Sequence, residues 1–135
     1  MYEYKVTRLL DVVDGDTIDV QIDLGFDVSY TSRVRLNGID TPESRTTDAK
    51  EKKYGLEAKE WLKHRLETAK KIVIRTEKPD SSEKYGRILG TLVIDDENVS
   101  LNDQLVKSGY AWAYDGGTKH KNFDELDQKR KAAGK

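Results

Sequence analysis

Nine residues, Arg35-Leu-Asn-Gly-Ile-Asp-Thr-Pro-Glu43, place one guanidinium, two carboxylates, a threonine and a proline in a single short segment. Carboxylates of this kind hold a hard cation, a guanidinium grips a phosphate, and a free glutamate can draw a proton from water. Leu36 and Ile39 interleave with the polar groups, so the segment is expected to run as a buried strand. Pro42 lacks an N–H and biases Thr41 toward extended backbone, which ends the strand and sets Asp40 and Glu43 at its terminus.

The composition narrows the chemistry. There is no cysteine, which excludes a thiolate metal site, and there are only two histidines, His64 and His120, which argues against a multi-histidine zinc site. Any metal must rest on oxygen ligands, which points to calcium, magnesium or manganese. The formal net charge is −1, which argues against a tight, non-specific nucleic-acid binder but not against a site that grips one or two phosphates. No apolar run approaches membrane-spanning length, so no membrane association is expected, and the N-terminus has no signal-like apolar region. The expected location is the cytoplasm, or outside the cell as the mature form of an exported protein.

The elements that must position these groups follow from periodicity. Tyr4 to Val13 is strand-like, Asp14-Gly15-Asp16 has turn chemistry, and Thr17 to Ile22 alternates polar with apolar. Val28 to Gly38 is a third strand, completing an antiparallel meander. Ser44 to Lys53 reads as a charged loop, and Tyr54 to Ala69 as an amphipathic helix with Ala58, Trp61, Leu62 and Leu66 on its apolar face. Strands over 71–76 and 88–94 follow, with Gly90 suited to a barrel bend. Ser100 and Asn122 are N-caps for two further helices, the first stopped by Gly109. The order β-β-β-α-β-β-α-α is that of an OB-fold, a five-stranded Greek-key barrel of the α+β class, formed by one domain over residues 1–135.

Five motifs in order now carry a resemblance. Asp14-Gly-Asp-Thr17, Arg35 to Glu43, Tyr54-Gly-Leu-Glu-Ala58, Lys84-Tyr-Gly-Arg87 and Leu105-Val-Lys-Ser-Gly-Tyr-Ala111 together resemble the staphylococcal nuclease (thermonuclease-like) family. That resemblance implies the same barrel with three helices. It also implies calcium-dependent hydrolysis of DNA and RNA phosphodiesters, with little sequence specificity and 3′-phosphate products. By it, Asp16 and Asp40 with the carbonyl of Thr41 are the Ca²⁺ ligands, and Glu43 is the general base. Arg35 and Arg87 fork onto the scissile phosphate, Lys84 and Tyr85 contact a terminal phosphate, and Tyr114 stacks on a base. Asp14 is either a turn former or a minor, water-mediated neighbour of the metal. The expected substrate is single-stranded or unpaired nucleic acid, and the expected working form is a monomer.

Two departures stand out. The third helix is short, which is expected to lower stability more than activity. Asp115-Gly116-Gly117 loosens the chain beside Tyr114. The rival reading is a catalytically silent barrel that binds nucleic acid or protein. Against it, Asp16, Arg35, Asp40, Glu43 and Arg87 are all present.

Overall fold

The computed structural model describes residues 2–76, 88–119 and 121–134. Strands β1 (Tyr2–Asp14), β2 (Thr17–Asp23) and β3 (Ser29–Leu36) form the expected antiparallel meander. After a short strand β4 (Ile39–Asp40) and helix α1 (Ala49–Thr68), β5 (Ile72–Thr76) and β6 (Ile88–Ile94) pair antiparallel. Helix α2 (Leu101–Lys107), strand β7 (Trp112–Ala113) and helix α3 (Phe123–Ala132) complete the order. The barrel closes as β1-β2-β3-β6-β5, with β5 returning to the N-terminal half of β1 and β6 running parallel to β3. The α+β barrel with three helices is thus realised, and β4 and β7 add a small antiparallel pair outside it.

The interior follows the alternation of the strands. Ile18, Val20 and Ile22 of β2 point inward with Val34 and Leu36 of β3, and Ile74 and Leu92 meet them from β5 and β6. Three register shifts in β1, ending between Val12 and Asp14, coil that long strand so that it can pair with both neighbours. Gly90 is required where β6 passes close to β5: a Cβ there would lie 2.8 Å from Cγ2 of Ile74. Helix α1 covers the barrel with Ala58, Leu62 and Leu66, the face read from its periodicity. No described helix is long and apolar enough to cross a membrane.

Two expectations are corrected here. The run from Arg35 to Glu43 is not one strand. β3 ends at Leu36, a turn at Asn37-Gly38 reverses the chain with Gly38 at φ +78°, and β4 restarts at Ile39. The segment 44–53 is not wholly loop, because α1 begins at Ala49. Asp48 caps it by accepting the Glu51 amide at 3.1 Å. The connection from Lys78 to Gly86 lies outside the described residues.

Two polar arrangements dock the helices. Asn102 of α2 is buried; its Oδ1 accepts from the Leu92 amide at 3.0 Å, and its Nδ2 donates to the carbonyls of Asn37 (2.8 Å) and Gly90 (3.2 Å). One side chain thus ties α2 to β6 and to the β3–β4 turn. Arg130 of α3 donates to the Gly109 carbonyl at 2.9 Å and pairs with Glu57 at 2.8 Å, while its guanidinium lies over the rings of Tyr54 and Tyr110.

Asn102→Ala removes the side-chain partner of the Leu92 amide and the Asn37 carbonyl, while the Gly90 carbonyl keeps the Asn37 amide, and is expected to destabilise the chain by about 3 kcal/mol in urea unfolding. Gly55→Ala is a sharper probe. Alanine is the better helix former by about 1 kcal/mol, yet a Cβ at Gly55 would overlap the Glu43 carbonyl and stand 2.7 Å from the Ser44 amide nitrogen. The substitution is therefore expected to lower the melting temperature instead of raising it, and to displace the loop at Glu43.

Candidate functional site

Four backbone segments meet at one end of the barrel. The β1–β2 turn supplies Asp16, β3 supplies Arg35, β4 supplies Asp40, and the chain beyond it supplies Thr41 and Glu43. The hairpin register sets Thr17 against Arg35, and the Asp16 carbonyl accepts the Leu36 amide at 2.8 Å, so the turn is fastened to the end of β3. Asp40 is fixed by pairing with Trp112 in β7. Trp112 is anchored in turn by its indole N–H, which donates to the Asn122 carbonyl at 2.8 Å.

These side chains line one cavity of about 200 Å³, shared by Asp14, Asp16, Thr17, Arg35, Asp40, Thr41, Glu43, Lys119 and Lys121. Asp16 and Asp40 are both buried, and Arg35 reaches each of them, at 3.0 Å and 3.7 Å respectively. Asp16 also accepts from the Thr17 hydroxyl at 2.9 Å and the Thr41 amide at 3.1 Å. Asp40 has Lys119 at 3.2 Å. Burial holds the Asp40 carboxyl above the ordinary aspartate range, against the opposing pull of Lys119.

Glu43 is exposed to solvent while its backbone is fixed. Its amide donates to Glu51 Oε2 at 3.1 Å, and Lys121 donates to the same oxygen at 2.7 Å. That bond with Glu51 holds the Lys121 ammonium above the usual lysine range. Next along the chain, the Ser44 amide and hydroxyl both donate to Asp14 Oδ1. Asp14 is therefore neither a turn former alone nor a free carboxylate. It clasps the loop that carries Glu43.

The geometry brings together Asp16, Arg35, Asp40, Thr41 and Glu43. Tyr114 lies in an adjoining groove of about 690 Å³ that shares Asp40 and Lys119 with the acidic cavity. Its amide donates to the Gly38 carbonyl and its hydroxyl to the Gly117 carbonyl, each at 2.8 Å. Lys84, Tyr85, Arg87 and His120 lie outside the described residues. Ile88, next to Arg87 in sequence, pairs with Val34, next to Arg35. His64 is an exposed helix residue away from the cavity lining.

Sequence reasoning missed Glu51, Lys119 and Lys121. Asp48 and Glu51 have the spacing of a helix N-terminus, which was a usable signal. The two lysines offered none, since lysines in a glycine-bearing loop read as solvated.

Among the described residues no three His, Cys, Asp or Glu side chains converge as a metal-holding group. Of the four carboxylates lining the cavity, Asp14 is taken up by Ser44 and Glu43 is exposed, which leaves the buried pair Asp16 and Asp40, with the oxygens of Thr41, to face a cation. The Thr41 hydroxyl oxygen is buried without a hydrogen-bond partner. An all-oxygen set of low charge, with an unsatisfied oxygen beside it, fits a hard cation and does not fit a thiophilic one.

Comparison with known proteins places the chain in a family. The family model described as staphylococcal nuclease homologue matches residues 33–135. The chain is 33% identical to the thermonuclease of Staphylococcus hyicus over 132 residues, covering 98% of this chain and 71% of that protein. It is 35% identical to endonuclease YhcR of Bacillus subtilis over 118 residues, covering 84% of this chain and 9% of that much longer protein. An uncharacterized protein of Methanocaldococcus jannaschii is 29% identical over 131 residues, covering 84% of this chain. The chain spans 61% of that last relative, and so less than two thirds of two of the three. With the barrel, the acidic cavity and a match over most of its length, the chain belongs to the family of staphylococcal nuclease homologues.

Proposed function

We propose that this chain is a metal-dependent nuclease that hydrolyses phosphodiester bonds of DNA and RNA, with Ca²⁺ as the cation and 3′-phosphate ends as the product. The observation that carries this reading is the single cavity in which Arg35, Asp16, Asp40, Thr41 and Glu43 meet. Membership of the family and likeness to a thermonuclease and an endonuclease support it.

Asp16 and Asp40, with an oxygen of Thr41, would hold the cation. So few charges imply weak binding, with a dissociation constant of about 10⁻⁴–10⁻³ M. When bound, the cation supplies positive charge against the phosphate and lowers the cost of deprotonating water nearby. The chain's own residues do the rest. Arg35 presents donors to the phosphate oxygens, where charge accumulates in the transition state. Glu43 takes the proton of the attacking water as its oxygen adds to phosphorus. The bond from phosphorus to the 5′-oxygen then breaks, that oxygen takes up a proton, and the phosphate remains on the 3′ side.

Arg87 is proposed as the second phosphate fork, with Lys84 and Tyr85 on a terminal phosphate. Tyr114 is proposed to stack on a base. Stacking tolerates any base and requires that base to be unpaired, which favours single-stranded substrate and little sequence preference. A monomer is proposed as the working form.

Two measurements test the proposal. Glu43→Gln is expected to lower turnover on single-stranded DNA by about 10²–10⁴-fold while circular dichroism and melting temperature stay near wild type. Cleavage at the wild-type rate would remove Glu43 from the chemistry. Chelation is expected to abolish cleavage by the wild-type chain, and excess Ca²⁺ to restore it. Cleavage indifferent to chelator sinks the metal requirement, and a folded chain that cuts neither DNA nor RNA under any metal is a binding barrel.

A further inference from the structure

The segment between β7 and α3 brings two lysines to the acidic cavity, and their ammoniums serve different carboxylates. Lys121 pairs with Glu51, which holds the Glu43 amide and is not among the proposed cation ligands. Lys119 pairs with Asp40, which is. Asp16 is already satisfied by Arg35 and by the donors of Thr17 and Thr41. Asp40 has Arg35 only at 3.7 Å, so among the described residues Lys119, at 3.2 Å, is its nearest cation.

The two cations on Asp40 differ in their freedom to leave. The Arg35 side chain is 11% exposed and rooted in the barrel wall, while that of Lys119 is 48% exposed. Lys119 follows Gly116 and Gly117, and Gly116 adopts φ +95°. In the same position its ammonium lies 5.4 Å from the centroid of the Tyr114 ring, a favourable contact with a residue of the same loop.

We propose that Lys119 is the resident counter-ion of Asp40, neutralising this buried carboxylate in the metal-free chain, and that a divalent cation must displace it in order to bind. The inference rests on the reading of Asp16, Asp40 and Thr41 as a cation site. Its physical basis is that two positive groups on the same carboxylate oxygen repel each other, and the half-exposed lysine is the one that can withdraw into solvent. Lys119 keeps the empty site charge-balanced and raises the concentration of cation needed to fill it.

The test is calorimetric titration of the whole, metal-stripped chain with CaCl₂, which reads binding without catalysis. Lys119→Gln is expected to bind Ca²⁺ about fivefold more tightly than wild type, the size of a half-exposed ion pair. Lys119→Arg is expected to return to wild-type affinity. In the wild-type chain, the side-chain ammonium NMR signal of Lys119 is expected to move toward that of free lysine as Ca²⁺ is added. Equal or weaker affinity in Lys119→Gln, or an ammonium signal unmoved at saturation, overturns the proposal and leaves the nuclease reading standing. Failure of wild type and both variants to bind Ca²⁺ overturns the cation site and the counter-ion together.

Discussion

Two carboxylates buried side by side are the constraint on which this structure turns. Asp16 comes from the β1–β2 turn and Asp40 from β4, and the two would repel each other in a medium that screens charge poorly. Arg35 makes the arrangement tolerable by spanning both. That role fixes the surrounding architecture. The β1–β2 turn must be pinned to the end of β3, which the Asp16 carbonyl and the Thr17–Arg35 register accomplish. β4 must lie close enough for Asp40 to meet the same guanidinium, which the reversal at Gly38 and the pairing with β7 accomplish.

The loop beyond Asp40 is held by a related device. The amides of Thr41, Glu43 and Ser44 each donate to a carboxylate, of Asp16, Glu51 and Asp14 in turn. Pro42, between them, has no amide to satisfy and is buried. Glu43 thus presents an exposed side chain from a fastened backbone, and Gly55 lets α1 press directly against that backbone. Rigid support behind a solvent-facing carboxylate is what a positioned base requires.

Much of this was legible in the residues. The alternation in Thr17–Ile22 gave the central hairpin, the apolar face from Ala58 to Leu66 gave the helix packed on it, and the caps at Ser100 and Asn122 are those used. Asp16, Arg35, Asp40, Thr41 and Glu43 were named from motifs, and they share a cavity. What escaped has physical reasons. The break of β3 at Asn37-Gly38 depends on a left-handed glycine inside an otherwise strand-like pattern, where alternation carries no sign of a reversal. The start of α1 was hidden by charge density, although Asp48 and Glu51 have capping spacing. Glu51 then departs from the usual capping geometry, because its carboxylate turns to the Glu43 amide and Lys121 instead of back toward Asp48. Lys119 and Lys121 could be found only once the fold placed their loop against Asp40 and Glu51.

The parallel pairing of β3 with β6 carries a consequence for how the molecule comes into being. It joins Arg35 to Leu89, residues far apart along the chain, and it is the seam that shuts the barrel. Contacts of such long sequence separation must meet the entropy of closing a large loop before they are rewarded. Asp40 waits longer still, for Trp112 to pair with it and for Lys119 to neutralise it. A growing polypeptide emerging from the ribosome therefore exposes Asp16, Arg35 and Asp40 early, yet it cannot assemble the pocket until most of the sequence has been made. The order of synthesis and the topology together make the pocket a late product of folding.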